Sequence, residues 1–230
     1  MTIFCIDTST NCCSAAITID GQAVASKENL EGANHASELP VFIEQLLDTA
    51  SKQGWTLDAV AFSQGPGSYT GLRIGAATAK GICYGLNIPL IPVDTLQVLC
   101  AAARDQHGDT NGVLCPMLDA RRMEVYTAMY EQGELKALSD VEAKIIDEQS
   151  FASELEEQTI CFFGNGAEKC KTVILSKNAQ FIDGIVPQAK YMGLLAEAQT
   201  NRLAVKEMAY YEPFYLKEFV AAPSHIKGLK

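Results

Sequence analysis

The stretch 63–75, SQGPGSYTGLRIG, carries the residues with the clearest chemical potential. Gly65 and Gly67 permit a tight turn without side chains, and the predicted helix behind it presents unpaired N–H groups and its positive dipole end. Such a loop can hold an anion; the alternative is a connection whose small residues serve packing. It is not a P-loop, because no lysine follows the last glycine. The candidate contacts in this loop are Gly65, Gly67, Ser68 and Thr70.

Three further groups follow predicted strands, where side chains can face a cleft. Each group also has a structural explanation without a ligand: a local hydroxyl or Asx turn for the first, a solvated Asp–Arg pair for the second, and a strand-to-helix connection for the third. An adjacent arginine pair can bind phosphate or carboxylate in a fork geometry. The candidates are Asp7, Ser9 and Thr10 after the first strand, Asp119 and Arg122 in the segment DARR, and Gly164 and Gly166 in the turn GNG.

Several kinds of reactive site have no signature in this sequence. The three histidines, at 35, 107 and 225, are far apart, and the eight cysteines form no C-x-x-C pair. This spacing gives no zinc-type cluster and no helical pair of histidines. A G-x-S-x-G motif is also missing. We therefore predict no metal site and interpret the cysteines as reduced, buried thiols.

Composition and charge exclude other classes of protein. Of the 230 residues, 48% are hydrophobic and 20% are charged, as in ordinary globular proteins. The 18 basic and 28 acidic residues give 18 − 28 = −10, which disfavours a stand-alone nucleic-acid binder. The apolar runs are too short to cross a bilayer and the N-terminus does not resemble a secretion signal. We therefore expect a cytoplasmic protein without membrane contact.

The order of predicted elements indicates two α/β lobes. In each half, strands are followed by a helix, a strand, a glycine turn and another helix, and the βαβ unit around the glycine loop predicts parallel strands. The polar stretch 104–111 suggests a boundary, so we divide the chain into an N-terminal lobe, 1–103, and a C-terminal lobe, 104–230. The first helix is predicted to begin near Ser37, and a late helix spans about 188–202. We leave open whether the last helix packs back on the N-terminal lobe.

Two predicted helices carry faces suited to close contact. The first has a broad apolar stripe, and the second repeats glycines at positions 71 and 75. Glycine inside a helix costs up to about 1 kcal/mol relative to alanine, so tight packing must offset it. The contact is either with the protein's own sheet or with another chain. The residues concerned are Leu39, Phe42, Ile43, Leu46, Leu47, Gly71, Ile74, Gly75, Thr78 and Ile82.

Taken together, five segments resemble the bacterial TsaB family over most of the chain. They are IDTST, NHASELP, SQGPGSYTGLRIGAATAKG, DARRMEVYTAMY and GNGA, and EPFYL is similar to the family's closing segment. The resemblance implies a fold of the actin, sugar-kinase and Hsp70 type, with two related lobes of mixed sheets flanked by helices. The glycine-loop candidates and the three groups that follow predicted strands would then line a weak or vestigial nucleotide cleft.

The resemblance also implies a role in forming N6-threonylcarbamoyladenosine beside the anticodon of tRNAs that read codons starting with A. TsaB proteins act there with the catalytic subunit TsaD and the ATPase TsaE, while TsaC makes the activated intermediate. Family members pair through the first helix and the glycine-rich helix, either with a second copy or with TsaD. We expect a homodimer that exchanges for TsaD, with tRNA contacted within the complex alone.

The TsaD paralogue carries two metal-binding histidines four residues apart. They come directly after the strand that follows the glycine-loop helix. Here Thr95 and Leu99 occupy those places, and a leucine side chain offers no lone pair. The resemblance therefore implies no catalytic residue and no metal or cofactor held by this chain, with ATP and a metal ion in the partner subunits. The alternative is an independent metal- or ATP-dependent hydrolase, as older M22 glycoprotease groupings suggest.

Overall fold

The computed structural model describes residues 1–32 and 34–217. The helices are α1 His35–Gln53, α2 Tyr69–Leu86, α3 Thr95–His107, α4 Ala152–Glu157, α5 Gly193–Ala198 and α6 Val205–Met208. The strands are β1 Thr2–Asp7, β2 Cys13–Ile19, β3 Gln22–Asn29, β4 Ala59–Gly65, β5 Leu90–Asp94, β6 Val113–Asp119, β7 Glu124–Thr127, β8 Glu142–Ile145, β9 Ile160–Phe163 and β10 Ala179–Ile182. His225 and the end of the predicted second lobe lie outside the described residues.

The first lobe is built on a five-stranded sheet in the order β3-β2-β1-β4-β5. β1 and β2 form an antiparallel hairpin pair, β3 continues it, and β4 and β5 are added in parallel on the other side of β1. The predicted parallel βαβ unit is therefore confirmed. β1 is buried along nearly its whole length, as its continuous apolar sequence requires.

The second lobe repeats this topology. Its sheet has the order β10-β9-β6-β7-β8, in which β6 and β7 are antiparallel, β7 and β8 are antiparallel, and β9 and β10 are parallel additions. Position by position this is the arrangement of the first sheet. The repeat confirms the predicted fold class, two related lobes of the actin, sugar-kinase and Hsp70 type. It places the carboxyl ends of β1 and β6 at matching positions.

Local turn chemistry defines the ends of several elements in the first lobe. Asp20 and Gly21 both have positive φ values, 48° and 77°, which suit the two-residue hairpin between β2 and β3. Gly54 ends α1 in the left-handed conformation. The Asp94 carboxylate accepts the N–H groups of Leu96 and Gln97 and so caps α3.

The first helix begins earlier than predicted. α1 starts at His35, and the Ser37 hydroxyl donates to the Asn34 carbonyl instead of capping the helix. A tertiary contact holds the first turn, because the Asn29 side chain donates to both carboxylate oxygens of Glu38 at 3.1 Å. Pro40 lies inside α1, where it removes a single backbone donor.

The single late helix predicted over 188–202 is wrong. The chain forms a short 3₁₀ turn, Ala189–Tyr191, then α5, and then an extended stretch that pairs Leu203 with Leu90 of the first sheet. Met192 and Ala196 are fully buried against that sheet. Packing on the first lobe therefore overrides the helical pattern. The lobe boundary itself stays a prediction, although α3 runs past it to His107.

Two features bear on the protein's setting. No helix in the described part of the chain is both long and apolar enough to cross a membrane. All eight cysteines are free and buried. Burial raises the pKa of the Cys5 and Cys115 thiols to about 12, which makes them poor nucleophiles.

Candidate functional site

A cleft of about 530 Å³ lies where the carboxyl ends of the central strands of the two lobes meet. Both lobes contribute to its wall, the first through the loop after β1 and the start of α2, the second through the end of β6. Six of the predicted residues line it together: Ser9, Thr10, Gly67, Ser68, Thr70 and Asp119.

Asp7 does not line the cleft. It is fully buried, and its carboxylate accepts the Ser63 hydroxyl on one oxygen and the Ser9 N–H and hydroxyl, at 3.0 and 2.8 Å, on the other. Burial raises the pKa of Asp7, although these hydrogen bonds favour the charged form. Both oxygens are therefore engaged within the chain, and Asp7 positions the loop that carries Ser9.

The glycines of the loop are required by the protein's own backbone. A Cβ on Gly67 would lie 2.4 Å from the Ser9 carbonyl oxygen, and one on Gly65 would lie 2.5 Å from that of Phe214. Gly65 also has a φ of 121°, which other residues rarely adopt. Gly65 lies behind the cleft wall instead of in it. The packing alternative thus accounts for both glycines.

The start of α2 faces the cleft through its first residues. The Ser68 side chain accepts the Gly71 N–H at 3.3 Å, and the Ser68 N–H donates to the Ser9 carbonyl at 2.7 Å. These bonds join the glycine loop to the loop after β1. Ser68, Tyr69 and Thr70 then line the cleft, so part of the positive end of the helix dipole is directed at it.

In the second lobe, Asp119 is held by its neighbours. Lys169 forms an ion pair with its carboxylate, and the Asn165 side chain accepts the Asp119 N–H at 3.0 Å. Gly164 and Gly166 do not line the cleft, since they pack against the backbone at the end of β6, where a Cβ would lie 2.4 and 2.9 Å from its atoms. Their neighbour Asn165 lines it instead, and sequence reasoning missed that residue.

The structure corrects the choice of arginine. Arg121 lines the cleft, whereas Arg122 is exposed outside it. Both have left-handed backbones, with φ values of 72° and 48°. Within the described residues neither guanidinium makes an ion pair, because Asp119 is paired with Lys169 and Glu124 with Lys217.

The C-terminal segment, residues 209–217, supplies part of the cleft wall. Phe214, Tyr215, Leu216 and Lys217 line the cleft, and the Phe214 N–H donates to the Gln64 carbonyl at 2.7 Å. Sequence reasoning missed this wall. The only available signal was the conspicuous EPFYL segment, whose position along the chain gives no indication that it returns to β4 across about 150 residues.

The two positions that correspond to the metal-binding histidines of TsaD are part of the core. Thr95 and Leu99 are fully buried on α3, and Leu99 packs with the second lobe. The Thr95 hydroxyl oxygen has no hydrogen-bond partner among the described residues. The residues that the structure describes contain no group of three His, Cys, Asp or Glu side chains arranged to hold a metal ion.

The structure divides the predicted partner-contact residues into two sets. Leu39, Leu46, Gly71 and Gly75 are buried within the chain, and a Cβ on Gly71 would lie 2.0 Å from the Thr8 carbonyl oxygen. These four therefore serve the protein's own packing. The remaining six are half-buried along α1 and α2: Phe42, Ile43, Leu47, Ile74, Thr78 and Ile82.

Comparison with known proteins agrees with the motifs. The family model described as TsaD, tRNA N6-adenosine threonylcarbamoyltransferase, matches residues 29–223. The chain belongs to this family, among its TsaB members. It is 27% identical over 228 residues to the Haemophilus influenzae tRNA threonylcarbamoyladenosine biosynthesis protein TsaB, covering 96% of this chain and 95% of that protein. The match to Escherichia coli TsaB is 36% identical over 134 residues, 58% of this chain and 57% of that protein.

Solved structures extend the similarity to three dimensions. YeaZ from Pseudomonas aeruginosa superposes with a TM-score of 0.77 at 25% identity, covering 94% of this chain and 99% of that one. A second Pseudomonas aeruginosa structure, described as similar to peptidase YeaZ, gives a TM-score of 0.78 at 26% identity with the same coverage. The TsaB-like architecture thus extends across both lobes.

Proposed function

We propose that this protein is a non-catalytic partner subunit of the complex that forms N6-threonylcarbamoyladenosine in tRNA. The observation that carries the proposal is the replacement of the expected metal ligands by Thr95 and Leu99, both fully buried. A leucine cannot donate an electron pair to a metal, and a buried threonine hydroxyl is a poor ligand. Metal-assisted transfer would then belong to a TsaD-like subunit, and ATP turnover to a TsaE-like ATPase.

The names of the relatives support the pathway. The Haemophilus influenzae, Escherichia coli and Bacillus subtilis proteins are each named as tRNA threonylcarbamoyladenosine biosynthesis protein TsaB. The matching family model carries the name of the transferase. Both names support a role for this chain in the same pathway.

The outer face of α1 and α2 supports pairing with a TsaD-like subunit or a second copy. Val41, Tyr84 and Leu86 are 46, 76 and 51% exposed, which leaves large apolar side chains in water. A Cβ added to Gly81 or Gly85 would meet nothing within 4 Å. The free-energy cost of these two glycines in a helix is therefore not offset by packing within the chain. Close approach of a partner helix would offset that cost.

The cleft fits a vestigial or weak nucleotide site better than a catalytic one. The Asp7 oxygens are engaged by Ser9 and Ser63, and Gly65 and Gly67 are packed against the chain's own backbone. We propose that the cleft residues maintain the arrangement of the lobes and that this chain carries no resident cofactor. Contact with tRNA would occur within the complex, where Arg73, Arg121 and Arg122 provide local positive charge.

Reconstitution tests the proposal directly. Modification of a substrate tRNA is measured with TsaC, TsaD and TsaE proteins from one source, with and without this chain. Omission of this chain should reduce the rate of tRNA modification severely. TsaD should bind its own metal ion whether or not this chain is present. An unchanged rate without this chain would contradict the partner role.

The independent-hydrolase alternative is tested with the purified chain alone. Elemental analysis for bound iron and zinc, and an ATP hydrolysis assay, should give values at background. Stoichiometric metal with turnover by the isolated chain would favour the hydrolase and overturn our proposal.

A further inference from the structure

The sequence contains two asparagine–glycine pairs, and the structure places them in unlike surroundings. Asn111 and Gly112 lie in the loop between α3 and β6, and Asn165 and Gly166 lie in the turn that follows β9. A glycine after asparagine has no Cβ to hinder its backbone nitrogen, which can therefore approach the asparagine side chain closely. Both pairs have the covalent chemistry for deamidation, and their surroundings determine whether it occurs.

Deamidation at such a pair needs only the chain itself and water. The glycine nitrogen forms a bond to the asparagine Cγ, and the bond between Cγ and the side-chain nitrogen breaks. That nitrogen leaves as ammonia, taking up the proton that the glycine nitrogen gives up, and a cyclic succinimide remains. Water then opens the ring at either carbonyl carbon and yields aspartate or isoaspartate. The rate therefore depends on how freely the two reacting groups can meet.

The pair beside the cleft is restrained at both reacting groups. The Asn165 side-chain oxygen accepts the Asp119 N–H at 3.0 Å, and the Gly166 N–H donates to the Met117 carbonyl at 2.9 Å. Gly166 is buried, and a Cβ there would lie 2.9 Å from the backbone of Leu118. Ring closure must break both hydrogen bonds and move packed backbone, which raises the barrier to the reaction.

The pair before β6 is restrained at neither reacting group. Asn111 is exposed, and among the described residues its side chain makes no hydrogen bond and the Gly112 N–H has no acceptor. The Gln132 side chain holds the loop by donating to the carbonyls of Thr110 and Gly112. Those carbonyl oxygens take no part in ring closure. Exposed loop groups of this kind are open to covalent change.

The fold requires glycine at position 112. Gly112 has a φ of 135°, which other residues rarely adopt, and a Cβ there would lie 2.2 Å from the Thr159 carbonyl oxygen. The next residue, Val113, begins β6 and donates its N–H to the same carbonyl at 2.9 Å. The pairing of β6 with β9 thus keeps glycine, and with it the reactive pair, at this position.

We propose that Asn111 is a site of spontaneous deamidation, at which the folded protein acquires aspartate and isoaspartate, and that Asn165 is protected. Isoaspartate adds one carbon to the main chain directly before β6, the strand that carries Asp119 to the cleft. Protection of Asn165 preserves the neutral side chain that accepts the Asp119 N–H. Ageing therefore alters the loop before β6 and leaves the cleft wall intact, independently of the proposed role in tRNA modification.

Peptide mass spectrometry of the aged full chain tests this proposal. The folded protein is incubated in mildly alkaline buffer, sampled over time and digested at acidic pH, so that both pairs are measured in one sample. We expect conversion at Asn111 to be at least about tenfold faster than at Asn165. Peptides with aspartate and with isoaspartate should both appear at position 111.

The unfolded chain and a matched variant are the controls. In urea both pairs lose their restraints, so the two positions should convert at similar rates. Asn111→Gln, whose longer side chain closes the ring much less readily, should abolish the slow gain of negative charge seen by isoelectric focusing. The same substitution at exposed Asn201, which precedes an arginine, should not. A smaller difference between Asn111 and Asn165 in the folded protein, or no conversion at Asn111 while the unfolded chain converts, would overturn the proposal.

Discussion

At the scale of single residues, the glycines of α2 have two different physical roles. Gly71 and Gly75 make room for Thr8, whose carbonyl oxygen and hydroxyl would lie 2.0 and 2.5 Å from an added Cβ. Gly81 and Gly85 face open space. One helix therefore contains glycines required by the core and glycines that the isolated chain does not need, and the sequence spacing alone does not separate them.

Alanine substitutions at Gly71 and Gly81 should have opposite effects on stability. Gly71→Ala forces the Thr8 backbone to move and should lower the free energy of unfolding by about 1–3 kcal/mol. Gly81→Ala relieves the cost of glycine in a helix and should raise it by about 0.5–1 kcal/mol. Urea denaturation of the two variants measures both changes. Equal effects of the two substitutions would contradict this division.

Asp94 should give the protein a pH-dependent stability. Burial raises its pKa to about 6, although the N–H groups of Leu96 and Gln97 favour the charged form. The folded state thus binds the proton more tightly than the unfolded chain, whose aspartates titrate near pH 4. The contribution of protonated Asp94 to the free energy of unfolding is fully present below about pH 4. It is lost as the pH rises to about 6 and stays lost above pH 6.

Asp94→Asn should remove this pH dependence while an amide oxygen still caps α3. Relative to the unaltered protein, the variant should gain stability progressively from about pH 4 to pH 6, by up to about 3 kcal/mol, and the difference should then level off. Thermal melts across this pH range measure the effect. A difference that is constant with pH would show that Asp94 has an ordinary pKa.

At the scale of elements, α1 and α2 form the surface on which the proposed pairing depends. Thr78 lies half-buried between Ile74 and Ile82 on α2, so part of its side chain is accessible to a partner. A longer charged residue at this position should therefore affect a partner more than the fold.

Thr78→Arg should weaken self-association and pairing with a TsaD-like subunit by at least about tenfold, or about 1.4 kcal/mol. Sedimentation of the chain alone and with TsaD measures both equilibria. Leu175→Arg, at a side chain 79% exposed in the second lobe, is the matched control and should leave them unchanged. Equal weakening by both variants would place the partner surface elsewhere.

The helices also show where local pattern fails. The sequence predicts a helix behind the glycine loop, and α2 forms there because the Ser68 side chain accepts an N–H within its own first turn. The prediction fails over 188–202, where burial of Met192 and Ala196 on the first sheet breaks the helical pattern into a 3₁₀ turn and α5. That burial depends on strands more than 90 residues away in the chain.

At the scale of the whole molecule, charge is distributed unevenly. The chain carries a net charge of −10, yet among the described residues Arg121 in the cleft wall and Arg122 outside it form no ion pair. The molecule as a whole repels a polyanion, while these two guanidinium groups attract phosphate locally. Any contact with tRNA should therefore depend on these arginines and on a partner that supplies further positive surface.

Arg121→Glu with Arg122→Glu should weaken tRNA binding by the reconstituted complex without weakening pairing with the TsaD-like subunit. Filter binding at several salt concentrations should also show a shallower salt dependence, since fewer phosphates are neutralised. A double reversal at exposed Lys52 and Lys177 changes the net charge equally and is the control. Equal losses in both double variants would show a general charge effect.

The sequence by itself determined the α/β class and the strand-end positions of the cleft residues, which depend on strand periodicity, turn residues and a glycine loop that act over short distances along the chain. The family and the two-lobed fold type came from the motifs that resemble the TsaB family. The sequence also showed that Thr95 and Leu99 are unsuited to hold a metal.

The tertiary structure alone decided which candidates meet. It placed Ser9 beside Ser68, withdrew Asp7 and Gly65 from the cleft, exchanged Arg122 for Arg121, and brought Phe214 to Gln64. Each of these outcomes depends on contacts between residues distant in the chain. Such contacts are fixed when the sheets and helices pack, and no local pattern encodes them.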